Sequence, residues 1–388
     1  MTAARWRRAM NSAAGQGAWP RVRSLPAAAG AGGALAPVAP PDPYADSDAP
    51  RWLKFLWRTL SARHVLVLLG VIVFPFVATP FLTFQVGAQA LVLGLIALSL
   101  TFLGGYGGMV SLAQMSVAGM AGYAVAILGV SSTEVSLGWP WWVAVPFAVL
   151  IATACATVIG WLSVRTEGIY TIMITLAFGV AFYYLVLQNY TVFNGFQGFQ
   201  KVYPPQVFGV NWRDPLPFYF LSLFWALAGY LAVKWLVRTP FGIALQGVRD
   251  NPRRMAALGF HVVAHRVAAY AFAGLLAAVA GVLLVWYNGL ISPGSVNTGW
   301  QINILVVAVL GGMRHPIGAF LGAAVFVLLQ TFAIDVIDRE RFNLVIGVVF
   351  LAIVLFSPDG LLGLWAKLRA RFGPDQAVQA PVNTTPRH

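Results

Sequence analysis

Runs of about twenty apolar, uncharged residues recur along most of this chain, and they constrain its fold more than any other feature. A helical run of that length crosses the ~30 Å hydrocarbon layer of a membrane, at ~1.5 Å per residue. Inside that layer every backbone N–H and C=O must be satisfied within the structure, which leaves helices or closed barrels. The runs are continuous rather than alternating, so they read as helices. They fall at 64–84, 85–104, 108–130, 141–163, 168–188, 216–237, 267–290, 300–313, 316–334 and 343–362. The expected fold is an all-α integral membrane protein with about ten transmembrane helices, some short or Gly-broken. Only 10% of the 388 residues are charged, against ~25% in soluble domains, which excludes a water-soluble single-core protein.

Charge in the connections sets direction. Arg165, the basic stretch after the sixth run, Arg314 with His315, and Lys367, Arg369 and Arg371 all fall on one side if the chain crosses about ten times. By the positive-inside rule that side is the cytoplasm, and both termini lie on it. The connections 131–140 and 291–299 carry no Lys or Arg and fall on the opposite side. The formal net charge of +13 therefore reflects topology and anionic lipid, and no nucleic-acid motif or partner accompanies it.

The ends are a different material. Residues 1–50 are rich in Ala, Gly, Pro and Arg and nearly free of branched apolar side chains, so they read as a disordered cytoplasmic tail. Their Arg-rich, acid-poor start also has the look of an organellar transit peptide, whereas nothing near Met1 marks a cleaved secretory signal. Residues 51–63 set Trp52, Phe55, Leu56 and Trp57 among Arg51, Lys54, Arg58 and Arg63, an amphipathic lead-in lying in the membrane interface. The membrane domain covers 64–364, and 365–388 form a second cytoplasmic tail. The single Cys155 lies in an apolar run, so there is no disulfide framework and no Cys-based metal site.

The chain's main polar interruption is the loop 238–266. Within it, Asn251 suits a helix N-cap, Pro252 the first helical position and Gly259 the left-handed residue past the end. These signals define a helix of about two turns over 251–259, ~10 Å long and too short to be stable unless packed on something. Met255 and Leu258, three apart among arginines, offer it a small apolar docking face. A plain basic connector that only orients the protein is the competing reading. His261 and His265 have the spacing of a metal pair but lack the Glu and third ligand of a zinc site, so no metal site is assigned.

The runs between residues 65 and 233 contain no Asp, Glu, Lys or Arg, and neither do those at 267–290, 300–313 and 316–334. Proton-coupled carriers need an ionisable group at membrane depth, so a proton pump or symporter is disfavoured. Sodium coupling through backbone carbonyls is not. No GxxxxGK[ST] loop occurs, so the chain does not bind ATP in that way itself, and no cofactor is expected. An enzyme would need a nucleophile with its base, or a metal triad, and neither is visible. The Gly-rich Phe102–Val110 stretch and the similar Leu310–Met313 lie at roughly matching places in the two halves. Such pairs mark either a transport pathway or close helix packing.

Several segments together resemble the permease subunits of branched-chain amino acid ABC importers, in particular the longer of the two Liv-type permeases. Gly105-Tyr106-Gly107-Gly108-Met109-Val110-Ser111-Leu112-Ala113-Gln114 through Gly119–Tyr123 is similar to that family's GYxGxxSLGHxxFxGxGAY, with Ala113 and Gln114 where Gly-His is common. Gly168-Ile169-Tyr170 with Thr175–Gly179 is similar to its GxYxAxxTLxFG, and Asn194–Gly198 to its external TxGxxG turn. Pro240–Asn251 through Ala256–Gly259 resembles the cytoplasmic FGRALxAIRENExAAxxxG. Ile291–Pro293, Val309–Met313 with Pro316–Ala319, and Phe356–Leu361 continue the series in order, over about 64–364.

The resemblance implies an importer subunit in the bacterial inner membrane. Its partners would be a second homologous permease, two ABC ATPase subunits and a periplasmic solute-binding protein. It implies a coupling role for the loop, at Gly242, Ala244, Leu245, Arg249, Asp250 and Asn251, then Met255, Ala256, Ala257, Leu258 and Gly259. A zwitterion crossing an uncharged path would meet helix termini, hydroxyls and amides. Ser111, Gln114, Ser116 and Thr175 are the candidates, each equally able to serve in helix packing. The expected function is import of branched-chain or hydrophobic amino acids. A urea or short-amide importer and, from another class, a sodium-coupled carrier or passive channel remain open.

Overall fold

The computed structural model describes residues 62–131, 136–166, 168–206 and 209–336, with 347–348, 351 and 360–363. The tails expected at 1–50 and 365–388, nearly all of the lead-in at 51–63 and most of the run at 343–362 lie outside the described residues. The chain divides after Val65, and the unit that follows contains the helical bundle.

The helices are α1 (Ala62–Val77), α2 (Gln89–Thr101), α3 (Gln114–Leu128), α4 (Trp141–Ser163), α5 (Ile169–Gln188), α6 (Pro215–Arg238), α7 (Pro240–Asp250), α8 (Pro252–Ala257), α9 (Val262–Asn288), α10 (Thr298–Gly311) and α11 (Pro316–Val336). The first break comes at Ala78–Thr79 rather than near residue 84 as the apolar runs imply. Pro80 drives the residue before it out of the helical region, which ends α1 there. From Pro80 the chain runs as one 27-residue helix to Tyr106, with π-wound stretches at Leu82–Ala88 and Phe102–Tyr106 on either side of α2. The glycines expected to break a helix at 102–110 thus widen its last turn first, and the chain turns at Gly108, at φ +67°.

Five described helices are long and apolar enough to cross a membrane: Pro80–Tyr106, α4, α5, α6 and α9. A sixth results if α10 and α11, bent by 117° at their junction, count as one broken span. At ~1.5 Å per residue α3 and α10 are only ~22 and ~21 Å long, too short to cross alone. The described residues therefore give five or six full-length spans; the count of about ten also takes in short and broken helices and the run at 343–362, most of which lies outside the described residues.

Burial follows composition. α2 has no polar face, and Val92–Thr101 is buried on every side, which is where a helix apolar all round belongs. It packs against α9, α10, α11 and α6. Peripheral helices instead turn large apolar side chains outward, among them Leu150, Val158, Met173 and Phe224. α4 bears exposed Trp141 and Trp142 at its start and Trp161 at its end, where the Arg165 guanidinium sits 4.3 Å from the indole ring. Aromatic residues at both ends of a ~35 Å helix mark the two membrane–water interfaces.

Small residues set the closest contacts. Ala144, Ala148, Ala152 and Ala156 recur every fourth residue as the buried stripe of α4, which lies on α9. A Cβ at Gly274 of α9 would lie 2.3 Å from Ala156 Cβ, and one at Gly281 2.0 Å from Ala118 O of α3. At the α10–α11 bend, a Cβ at Gly311 would lie 1.8 Å from Gly318 O. With lipid as solvent, approach this close is what draws helices together.

The fold is not purely helical. β1 (Phe199–Gln200) pairs antiparallel with β2 (Leu290–Ile291) and joins the segment after α5 to the end of α9. Gly198, at φ +63°, allows the close approach, since a Cβ there would lie 2.1 Å from Ile291 O. α9, ~40 Å long, separates this end of the bundle from the end that carries α7 and α8.

Candidate functional site

The loop 238–266 holds two helices where the sequence signals mark one. Thr239 caps α7 by accepting from Gly242 N at 3.3 Å, with Pro240 next in the first turn. The inner face of α7 is Gly242, Ala244, Leu245 and Val248, all buried. Gly242 is required by contact, because a Cβ there would lie 2.2 Å from Leu236 O. Asn251 then ends α7 and caps α8, its Oδ1 accepting from Arg254 N at 2.9 Å. At the far end Phe260 N donates to Met255 O at 3.1 Å and Gly259 N to Ala256 O at 3.0 Å, with Gly259 at φ +91°. That is the paired bonding of a Schellman stop.

The apolar face expected on this helix is split by the structure. Met255 turns inward and packs against Gly247 of α7, where a Cβ would lie 2.9 Å from its sulfur. The short helix thus has a partner in its own chain. Leu258 points outward, 68% exposed, beside exposed Ala256 and Ala257 and the arginines Arg253 and Arg254. His265 stacks on Phe241 with ring centroids 5.6 Å apart, and its Nδ1 lies 2.9 Å from His261 O. This histidine therefore holds the start of α9 against α7.

The loop reaches the membrane helices through Arg249, whose contact with the Gly-rich stretch no sequence signal indicates. Arg249 Nη1 donates to Gly105 O, its Nε donates to Asp250 Oδ1 at 2.9 Å, and its aliphatic stem lies over Gly108. A Cβ at Gly108, already at φ +67°, would sit 2.5 Å from Arg249 Cγ. The ion pair with Asp250 is exposed and adds little stability, but it orients the guanidinium. On the other side of the break, Met313 crowds Gly104 and Gly105, since a Cβ at Gly105 would be 2.1 Å from Met313 O. The two Gly-rich motifs at matching places in the sequence therefore pack on each other, and α7 packs on one of them.

The four candidate path residues are buried to 2% exposure or less along the seam of α2, α3 and α5. Thr175 Oγ1 accepts from Leu112 N at 3.1 Å, tying the turn before α3 to α5. Ser111 Oγ accepts from Ala113 N at 3.4 Å. Gln114 Oε1 accepts from Ser99 Oγ at 3.1 Å, a partner hidden in an apolar run and without any sequence signal. The Ser116 hydroxyl is buried without a hydrogen-bond partner among the described residues. The residue between the last two, Met115, lines a cavity of about 250 Å³ near the β1–β2 end.

Buried uncharged helices, a broken α10–α11 span and a capped, basic loop packed on the end of the central helix define a multi-pass membrane protein. The comparisons give its family. Residues 82–354 match the family described as branched-chain amino acid transport system / permease component, and the chain belongs to it. It is similar to the high-affinity branched-chain amino acid transport system permease protein LivM of Salmonella typhimurium, 23% identical over 82% of this chain and 80% of that one. The protein of the same name from Escherichia coli is 24% identical over 78% of this chain and 76% of its own length. A shorter match, 31% identical over 34% of this chain and 39% of the relative, is to the autoinducer 2 import system permease protein LsrC of Yersinia pestis strain Pestoides F. No solved structure matches the chain. The protein is thus a Liv-type permease, one component of a multi-subunit transport system.

Proposed function

We propose that this chain is the transmembrane permease of an ATP-binding-cassette importer that moves branched-chain and other hydrophobic amino acids across the bacterial inner membrane. The observation that carries this is the match along about four-fifths of the chain to permeases named for that substrate class. The relative named for autoinducer 2 aligns with only a third of the chain, so it supports the transport class rather than a substrate.

In this reading a periplasmic binding protein delivers the solute at the β1–β2 end, and both chain termini lie in the cytoplasm. Two ATPase subunits dock on the loop 238–266 at the other end, and a second permease completes the path. Exposed Ala256, Ala257 and Leu258 present a small, low surface on which an ATPase cleft can close. Arg249 passes a displacement of α7 to the Gly104–Gly108 break, and so to α3 with Gln114 and Ser116. The four candidate path residues belong to that moving seam.

The test is reconstitution in proteoliposomes with the second permease and the ATPase pair, binding protein outside and ATP inside. Leucine, isoleucine and valine should accumulate, and an ATPase unable to hydrolyse ATP should abolish accumulation. Accumulation that ignores ATP and follows a sodium gradient would overturn the assignment.

A further inference from the structure

Beside the β1–β2 pair lies a cavity of about 250 Å³, open to the surface, whose lining divides by chemistry. Its polar lining is Gln89 at the start of α2, Asn288 at the end of α9, and Ser292 and Ser295 on the loop that follows. Its apolar lining is Leu93, one helical turn along from Gln89, with Met115, Leu284, Leu290 and Trp300. No Asp, Glu, Lys or Arg lines it.

We infer that this cavity is a binding pocket for a small zwitterion with an apolar side chain, occupied between release from the receptor and passage inward. The inference rests on the transport reading above and names a site for it. Amide and hydroxyl groups donate to a carboxylate and accept from an ammonium group without fixing a net charge. A ligand carrying net charge would lose water here with no counter-charge to replace it, a loss that the zwitterion's internal pair avoids in part. Leu93 and Met115 give an aliphatic side chain a dry surface. The volume lies just below the ~300 Å³ at which drug-sized pockets begin, which suits a solute of amino-acid size.

A second observation points to the same place. The π-wound stretch Leu82–Ala88 ends directly at Gln89, and such widened turns are frequent at functional sites. Tyr287, next to Asn288, donates through Oη to Gln85 within that stretch, which ties the start of the central helix to the end of α9 beside the cavity.

The experiment uses the assembled transporter in nanodiscs, without receptor, with Cys155→Ser and Ser295→Cys, and follows maleimide labelling of the new thiol. At a leucine concentration about ten times its Kd for the pocket, labelling should slow about tenfold. Leucinamide, which carries a net positive charge, should not protect at the same concentration. In parallel, Gly294→Trp should block uptake while receptor-stimulated ATP hydrolysis continues. The Gly294 Cβ position is open, with Ser292 Oγ at 3.6 Å as its nearest neighbour, so the indole has room to enter. ATP-driven uptake by the protein carrying both Cys155→Ser and Ser295→Cys, with no protection by leucine at any concentration, overturns the pocket and leaves the transport assignment intact. Protection without ATP-driven uptake does the reverse.

Discussion

The contact between Arg249 and the Gly105 carbonyl is the narrowest point between the cytoplasmic loop and the membrane helices, and Arg249→Met isolates it. Methionine keeps an aliphatic stem over Gly108 and removes only the guanidinium. A hydrogen bond with one charged partner contributes about 1.5–3 kcal/mol. The Arg249 side chain is 37% exposed, so water replaces part of that contribution. About 1 kcal/mol remains as the expected loss, a factor of about five in the population of the docked arrangement. This is too small to unfold a bundle whose core lies elsewhere, so yield and melting temperature should stay near wild type. Coupling should suffer instead, with about fivefold less leucine moved per ATP hydrolysed while basal hydrolysis persists. Arg249→Ala, which also uncovers Gly108, should lose more, and Arg249→Lys should recover part. Wild-type transport per ATP in all three variants would refute the reasoning.

Two further tests address the loop and its orientation. Gly259→Val forces a β-branched residue to φ +91°, with no side chain nearby to clash, so the expected cost of about 1–3 kcal/mol falls on the α8 stop alone. Ala257→Trp is harmless to the free permease because Ala257 is exposed; if both variants keep the ATPases bound and transport at the wild-type rate, the loop is a connector. In a Cys155→Ser background, Lys201→Cys should label from the periplasm and Arg253→Cys from the cytoplasm. The reverse pattern at either position would end the proposed topology.

Much of this was legible in the sequence, because membrane physics and cap chemistry are local. Apolar runs at 141–163, 168–188 and 216–237 match α4, α5 and α6 to within a residue at each end. Asn251, Pro252 and Gly259 bounded α8 because each signal belongs to one residue's backbone preference. Where the reading failed, the cause was a partner distant in sequence. Met255 looks like an outward knob until Gly247 leaves room for it, and Ser99 is silent until Gln114 arrives 15 residues later. α7 was missed because its buried face is short and its glycine discourages a helical assignment, whereas that glycine is what lets Val237 and Leu236 approach. The strand pair could not be seen because two residues on each side carry no periodicity.

The two candidate regions lie at opposite ends of the bundle, and α10 connects them. Trp300, in its first turn, lines the cavity beside β2, and its last residue leads through Gly312 to Met313, which lies against Gly104 and Gly105. A 14-residue helix is ~21 Å long and stiff on that scale, so a shift at one end is delivered to the other. Gly311, Gly318 and Gly322 hold α10 so close to α11 that the pair has little freedom to deform, only to tilt together. Packed interfaces of this kind switch between discrete arrangements rather than bending smoothly. In the proposed mechanism, closure of an ATPase cleft on α8 would reach the pocket wall through Arg249, the glycines at 104–108, Met313 and α10, and also along α9, whose start packs on α7 and whose end carries Asn288. In that proposal, rigid contact between a few glycines would couple the two ends without an ionisable group at membrane depth.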